Sequence, residues 1–415
     1  MTISGVLLAV ALGVSSTYRS TPSTEPQALL GSPHRPTIES SGRVIRVGPQ
    51  HALRKPSDAA RIAEDGDVVE IEAGVYEGDA AVWSQNHLTL RGHRGRAHLK
   101  AHGAAAQGKA IWVIRGNNTL VENIEFSQAR VPDRNGAGIR LEGAGLIVRG
   151  CYFHDNEMGI LTNENEMSDV VIEHSEFASN RVVLDSEKSF PLGHNLYIGG
   201  IRSFTLRFSY VHHAMVGHNV KSRAQTNFIL YNRLMDEEDG TSSYIVDIPD
   251  GGTSYLIGNL LQQGPEGENP ALISYAAESV KLSGLDLYVV NNTLVNDRSS
   301  GVFVQSGSPV PAQIINNLFV GPGTIASGKV EPANNLAVSD PRFLDHRTYD
   351  YRLLPGSPAV DEGKDPGFAN GYPLTPIAEY HHPLGFRPRP HFGRLDVGAY
   401  EWRGPNDQAS ASQVP

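Results

Sequence analysis

The chain is short of cysteine, of charge and of long apolar runs, and each shortage removes a class of protein. One cysteine, Cys151, in 415 residues permits neither a disulfide framework nor a cysteine-based metal site. Charged residues make up 19% and the formal net charge is −10, so the basic surface that nucleic acid requires is missing. An acidic polysaccharide stays open as a partner, because a local cleft on an acidic protein can still be basic. The apolar run from Ile3 to Val14 is too short to span a bilayer but suits the h-region of a secretory signal, although no Lys or Arg precedes it. We expect residues 1–20 to be a signal peptide and 21–42 a disordered Pro/Ser/Thr-rich lead. The protein would then be secreted or periplasmic, with no membrane span.

What the chain has is glycine, proline and a repeated phrase. The 43 glycines and 26 prolines fit a fold of short strands and many turns. The phrase is apolar–x–(Asn or small)–x–apolar. It ends at Phe126, Phe153, Phe177, Val211, Leu234, Leu261, Leu294 and Phe319. Two residues before each end stand Ile124, Cys151, Ser175, Ser209, Asn232, Asn259, Asn292 and Asn317, at intervals of 27, 24, 34, 23, 27, 33 and 25 residues. Four successive asparagines in one register point to stacked coils, each burying its apolar face only against the next. A buried Asn offers both donor and acceptor, so a ladder of them satisfies itself and the turn backbone. Cys151 fills a small-residue slot of this column and reads as a buried hydrophobe.

The expected fold is all-β, a single parallel β-helix over residues 43–330. A cap helix near Ser57 to Ala63, with Ser57 as N-cap, would cover its first coil. A C-terminal tail, 331–403, would pack along the helix, and 404–415 would be disordered. The long loops Asp185–Gly193, Asp236–Thr241 and Gln262–Pro270 precede strands of one stack and would wall a groove. Nothing in the pattern calls for a partner chain, so a monomer is expected.

Strand alternation proposes which side chains face that groove. In His218-Asn-Val-Lys-Ser-Arg223, Val220 faces inward with His218 and Ser222, leaving Asn219, Lys221 and Arg223 outside. The same reading sends Asn195 and Tyr197 outward from His194-Asn-Leu-Tyr-Ile198. It sends Ile245 and Asp247 outward from Tyr244-Ile-Val-Asp-Ile248. Tyr197, Lys221 and Asp247 then form one outward column. Four histidines, His194, His212, His213 and His218, crowd the same stretch, whereas 16 in 415 residues would place about one there. A cross-strand ion pair of Lys221 with Asp247 is the purely structural alternative.

From these phrases the chain, over residues 43 to 401, resembles the pectate-lyase-like superfamily of right-handed parallel β-helices. Asn219-Val-Lys221-Ser222, followed by Asn227 and Asn232, is similar to the Lys-Ser strand of the alginate-lyase and chondroitinase-B-like polysaccharide lyases. Asp340-Pro-Arg-Phe and Asp396-Val-Gly-Ala-Tyr-Glu also recur in such proteins. The resemblance implies a lysine base, matched by Lys221, for β-elimination at C5 of a uronate. It also brings calcium into view, but the chain departs there. His218 and Asn219 stand where that family has an acidic calcium ligand, and Asp247 stands where its next coil has an arginine. Metal ligands are therefore unassigned. The other candidate roles are Arg223 with Asn195, Asn219, His194 or Asp247 for binding substrate, and Tyr197, His213 or His218 for moving protons.

Three further readings stay open. A glycoside hydrolase would need two carboxylates, Asp247 with Asp250 or Glu237. A C5-epimerase would share the base chemistry. A non-catalytic glycan-binding solenoid would display aromatics such as Tyr197 and Phe303.

Overall fold

The computed structural model describes residues 34–182 and 193–404. The expected signal peptide, most of the lead and the last segment lie outside the described residues. Residues 34–42, expected as part of a disordered lead, are instead seated without regular structure. Arg35 pairs with Glu173 at 2.8 Å, and the Ser41 amide donates to the carbonyl of Gly66 at 2.8 Å.

The fold is a right-handed parallel β-helix. Among the described residues, ten parallel strands from Ala81–Trp83 to Thr324–Ser327 stack in sequence order into one sheet. A second sheet of 21 strands takes two strands from a typical coil, such as Thr226–Leu230 and Arg233–Met235, joined at a bend. Inward residues keep register from coil to coil: Ile160, Leu196, Val220, Val246, Ile273 and Val304 are level with one another. Large rings stack the same way, Phe126 on Phe153 at 4.8 Å and Phe153 on Phe177 at 4.7 Å. The interior is thus one continuous apolar column, each layer covered by its neighbours.

The asparagine ladder lies at the bend. The side-chain amide of Asn232 donates to Asn259 at 3.0 Å, Asn259 to Asn292 at 2.9 Å, Asn292 to Asn317 at 3.0 Å and Asn317 to Asn335 at 3.0 Å. Each of these donors also bonds a backbone carbonyl of an adjoining strand, as Asn292 does to Leu256 at 2.8 Å. Ser209, Ser175 and Cys151 continue the column through backbone amides, and burial pushes the Cys151 thiol up to about 12, an inert group.

The cap helix spans Pro56–Ala60, but Ser57 is not its N-cap. Lys55 takes that place, with its amide donating to Asp58 at 3.2 Å and Pro56 opening the helix, while Ser57 bonds Asp79. The C-terminal segment forms three short antiparallel hairpins. Its Phe343, Tyr351, Tyr380 and Tyr400 join a second apolar cluster with Tyr210, Met235, Leu260 and Leu318 from the outer face of the 21-stranded sheet. Among the described residues no helix is long and apolar enough to cross a membrane.

Candidate active site

The outer face of the ten-stranded sheet carries the expected column. Tyr197 is level with Lys221, and Lys221 with Asp247, on three adjacent strands. Lys221 Nζ lies 3.0 Å from Asp247 Oδ2 and 5.9 Å from the centre of the Tyr197 ring. The column continues to Leu161 and Arg140 on one side and to Ser274 and Gln305 on the other.

The residues at or just before the start of these strands break the alternation. Asn219 and Val220 both point inward, as do Ile245 and Val246, and Leu272 and Ile273 one coil on. Two consecutive inward residues mark a corner of the coil, where the chain turns into the sheet and period-two parity does not yet hold. Asn195 and Asn219, expected to bind substrate, are therefore wholly buried. They form a second internal ladder: Asn156 donates to Asn180 at 3.0 Å, Asn180 to Asn195 at 2.7 Å, Asn195 to Asn219 at 2.8 Å and Asn219 to Asp236 at 3.0 Å. Gly159 faces this corner, where a Cβ would come within 2.3 Å of the Asn195 carbonyl oxygen and 2.8 Å of the Phe177 ring. Phe303, expected on the groove, is buried against Phe319.

The same corner puts His218 outside, not inside. Its Nε2 lies 3.1 Å from Asp247 Oδ2, the oxygen that Lys221 also contacts, and its ring meets that of Tyr244. His194 is buried beneath this layer, its ring edge-on to Tyr197 and His218. Its Nδ1 accepts the amide of His218 at 2.9 Å, and burial with the nearby His218, Lys221 and Arg223 charges keeps it neutral. It supports the groove from below and offers substrate no free edge. His213 does not join the cluster: its Nε2 lies 3.0 Å from Asp239, 3.9 Å from Glu237, and its ring abuts His212. Glu237, the hydrolase alternative, bonds Tyr210 and Arg233 outside this column.

Two acids that alternation along the strands does not reveal complete the site. Arg223 is held from three sides, by Tyr197 Oη at 3.2 Å, Asp250 at 2.7 Å and Glu278 at 2.6 Å. Glu278, from the 276–286 loop, also reaches Lys221 at 3.0 Å, so one carboxylate bridges lysine and arginine. The sequence signal was the length of this connection after Tyr275, eleven residues where the three preceding coils use two to four. Burial opposes charge on Lys221, but Asp247 and Glu278 outweigh it and hold the ammonium above its ordinary range. Against the same burial, His218 and Lys221 keep Asp247 low, Ser279 and Arg223 keep Asp250 low, and Arg223 and Lys221 keep Glu278 low. Burial raises Glu268, with His218 opposing, beside this cluster. A cleft of about 390 Å³ opens next to Arg223, lined by Glu164, Asn165, Gln225, Asp250 and Lys281 among others.

Calcium does not fit this donor set. Hard cations of that size take six to eight oxygens. Here Asp247, Asp250 and Glu278 are each neutralised by Lys221 or Arg223, and Asn219 is spent in the ladder.

No family model matches the chain, and no curated protein matches it in sequence. Among solved structures, pectate lyase Pel9A is similar at 13% identity and a TM-score of 0.60, over 88% of this chain and 98% of that one. An alginate lyase from Paenibacillus sp. str. FPU-7 aligns at 13% identity and a TM-score of 0.42, over 66% and 95% of the two chains. The PL6 family alginate lyase AlyGC aligns at 15% identity and a TM-score of 0.35, over 86% and 57%. The likeness to Pel9A shows the fold, a pectate-lyase-like right-handed parallel β-helix.

Proposed function

We propose that this chain is an exported polysaccharide lyase that cleaves a uronate-containing polysaccharide by β-elimination in the groove around Lys221. The observation that carries this reading is the Glu278 carboxylate seated between Lys221 and Arg223. A uronate presents the same group, and a guanidinium fixed by Asp250 and Tyr197 is pre-organised to receive it. Substrate takes the place of Glu278, which sits on a loop and is half exposed. Arg223 then neutralises the carboxylate, which acidifies the C5 proton. Lys221, beside it, takes that proton. The C5–H electrons form the C4=C5 double bond, the C4–O4 bond breaks, and Tyr197 gives its hydroxyl proton to O4.

The lysine must first be neutral, which sets the pH dependence. At an ordinary pKa of about 10.4, fewer than about one lysine in two thousand is neutral at pH 7. Asp247 and Glu278 raise the value further. Activity should therefore climb about tenfold per pH unit through the neutral and alkaline range. Glu278→Gln removes one of the two anions, so its profile should move to lower pH.

The test is a panel of uronic-acid polysaccharides, read by ultraviolet absorbance of the unsaturated product beside a reducing-end assay. Lys221→Ala should lower double-bond formation by about 10²- to 10⁴-fold. Because it leaves Asp247 with His218 alone, the comparison belongs well below the melting temperature. Reducing ends without unsaturated product in the wild type would reject the lyase reading. Full activity in Lys221→Ala would reject Lys221 as the base.

A further inference from the structure

On the other sheet, three coils bring together a group that elimination chemistry does not use. His98 and Glu125 are level on neighbouring strands, and His154 follows on the next coil, level with Ser127. All three side chains lean outward and are about one-fifth exposed. His98 Nδ1 and His154 Nε2 each lie 3.2 Å from the same oxygen, Glu125 Oε1, and the three atoms fall within 4.8 Å of one another.

We propose that His98, Glu125 and His154 bind one divalent transition-metal ion of the zinc class, clipping three coils together. Imidazole nitrogen and carboxylate oxygen are the donors that zinc takes besides thiolate, and a tetrahedral ion at about 2.05 Å from each would separate them by about 3.3 Å. The two distances of 3.2 Å already match that edge. The exposed side leaves the remaining coordination to water.

The outer nitrogens support this assignment. His98 Nε2 lies 2.7 Å from Ser127 Oγ, and His154 Nδ1 lies 2.7 Å from Asp155 Oδ2. Metal-bound imidazoles are commonly oriented by such a partner on the far nitrogen, a carboxylate above all. His154 makes the point most sharply. Both its nitrogens face carboxylate oxygens, yet a neutral imidazole has only one N–H. Donating Nδ1–H to Asp155 leaves the Nε2 lone pair aimed at Glu125, and a cation between them resolves that clash. Competing positive charge is partly engaged elsewhere: Lys100 pairs with Glu77 at 2.8 Å, and Arg96 sits over the Tyr152 ring at 5.7 Å. None of these three residues belongs to the apolar cluster that the C-terminal segment buries.

The test uses the full chain stripped with chelator and titrated with zinc alone. One ion should bind per chain, and the melting temperature should rise with zinc concentration, as for any ligand of the folded state. The double variant His98→Asn/His154→Asn should lose both effects while melting near the wild type in chelator. Asp155→Asn should weaken binding about 10- to 100-fold. Cobalt in the same site should show the visible absorption of a low-coordinate ion. Absence of saturable binding would overturn the proposal, leaving a doubly protonated His154 between two carboxylates. Equal binding by the double variant would overturn it as well, placing the ion on other histidines.

Discussion

The two asparagine ladders use the same chemistry, yet one was legible as structure and the other passed for a binding surface. In the ladder from Asn232 to Asn335, the asparagine sits between two strands of one sheet, with an apolar residue two positions away on each side. Its phrase repeats, so stacking explains it at once. In the ladder from Asn156 to Asp236, the asparagines stand at a corner, at the start of a strand or just outside one, with His194 or His218 beside two of them. Counting outward by twos from Val220 or Leu196 assigns them to the groove. The error is one of local geometry: where the coil turns its corner two consecutive residues point inward, and counting by twos across that pair assigns the wrong side.

The comparison breaks first at Asn292. Its amide group donates to Asn317, Leu256 and Val290 and accepts from the backbone and side chain of Asn259, all in the dry interior. Asn292→Ala orphans several buried groups at about 1–3 kcal/mol each, so a loss of about 3–5 kcal/mol is expected in chemical denaturation. A loss below about 1 kcal/mol would mean that water enters and the ladder is not dry.

Asn219→Ala should cost somewhat less, about 2–4 kcal/mol, since Asn195 keeps a bond to the His212 carbonyl at 2.8 Å. This variant separates the two readings of the corner. A groove residue would cost activity and leave the denaturation midpoint in place. A ladder residue lowers the midpoint, and activity per folded molecule falls only as far as the strand of Lys221 shifts.

Much of the fold was readable because a solenoid writes its core as a repeat. The ladder column and the apolar register follow from spacing, and the cap helix from its helix-forming residues, though not its N-cap. The site was half readable. Tyr197, Lys221, Arg223 and Asp247 lie past the corner, where parity holds, and they meet as expected. Glu278 comes from a loop 57 residues beyond Lys221, and no periodicity carries its position. His213 is misplaced for a similar reason: a left-handed turn at φ 49° swings it toward Asp239. The His98–Glu125–His154 group was invisible because its residues lie 27 and 29 positions apart, with loops of different length between them.

An effect read as a slope against pH, not as a single loss, tests how the second ladder ends. The first ends on the neutral amide of Asn335, the second on the carboxyl of Asp236, which burial pushes up to about 7 against the hydrogen bonds it accepts. In the unfolded chain the same group ionises near 3.9. Between those values the folded protein holds a proton that the unfolded chain has released. This group's contribution is therefore full below about pH 4 and declines as pH rises toward 7. Above 7 both states are ionised and the loss is constant. Asp396, raised to about 7 by burial, has the same sign, and the neutral buried His194 has the opposite one, so the wild-type curve alone does not isolate Asp236. The difference between Asp236→Asn and wild type does. The amide still accepts from Asn219, so the variant should start slightly less stable at pH 4.5. It should gain on the wild type up to pH 7.5, by at most about 1.4 kcal/mol per pH unit. A flat difference would mean that the donors from Asn219 and Gly264 hold Asp236 ionised throughout, and that the ladder ends on a charge.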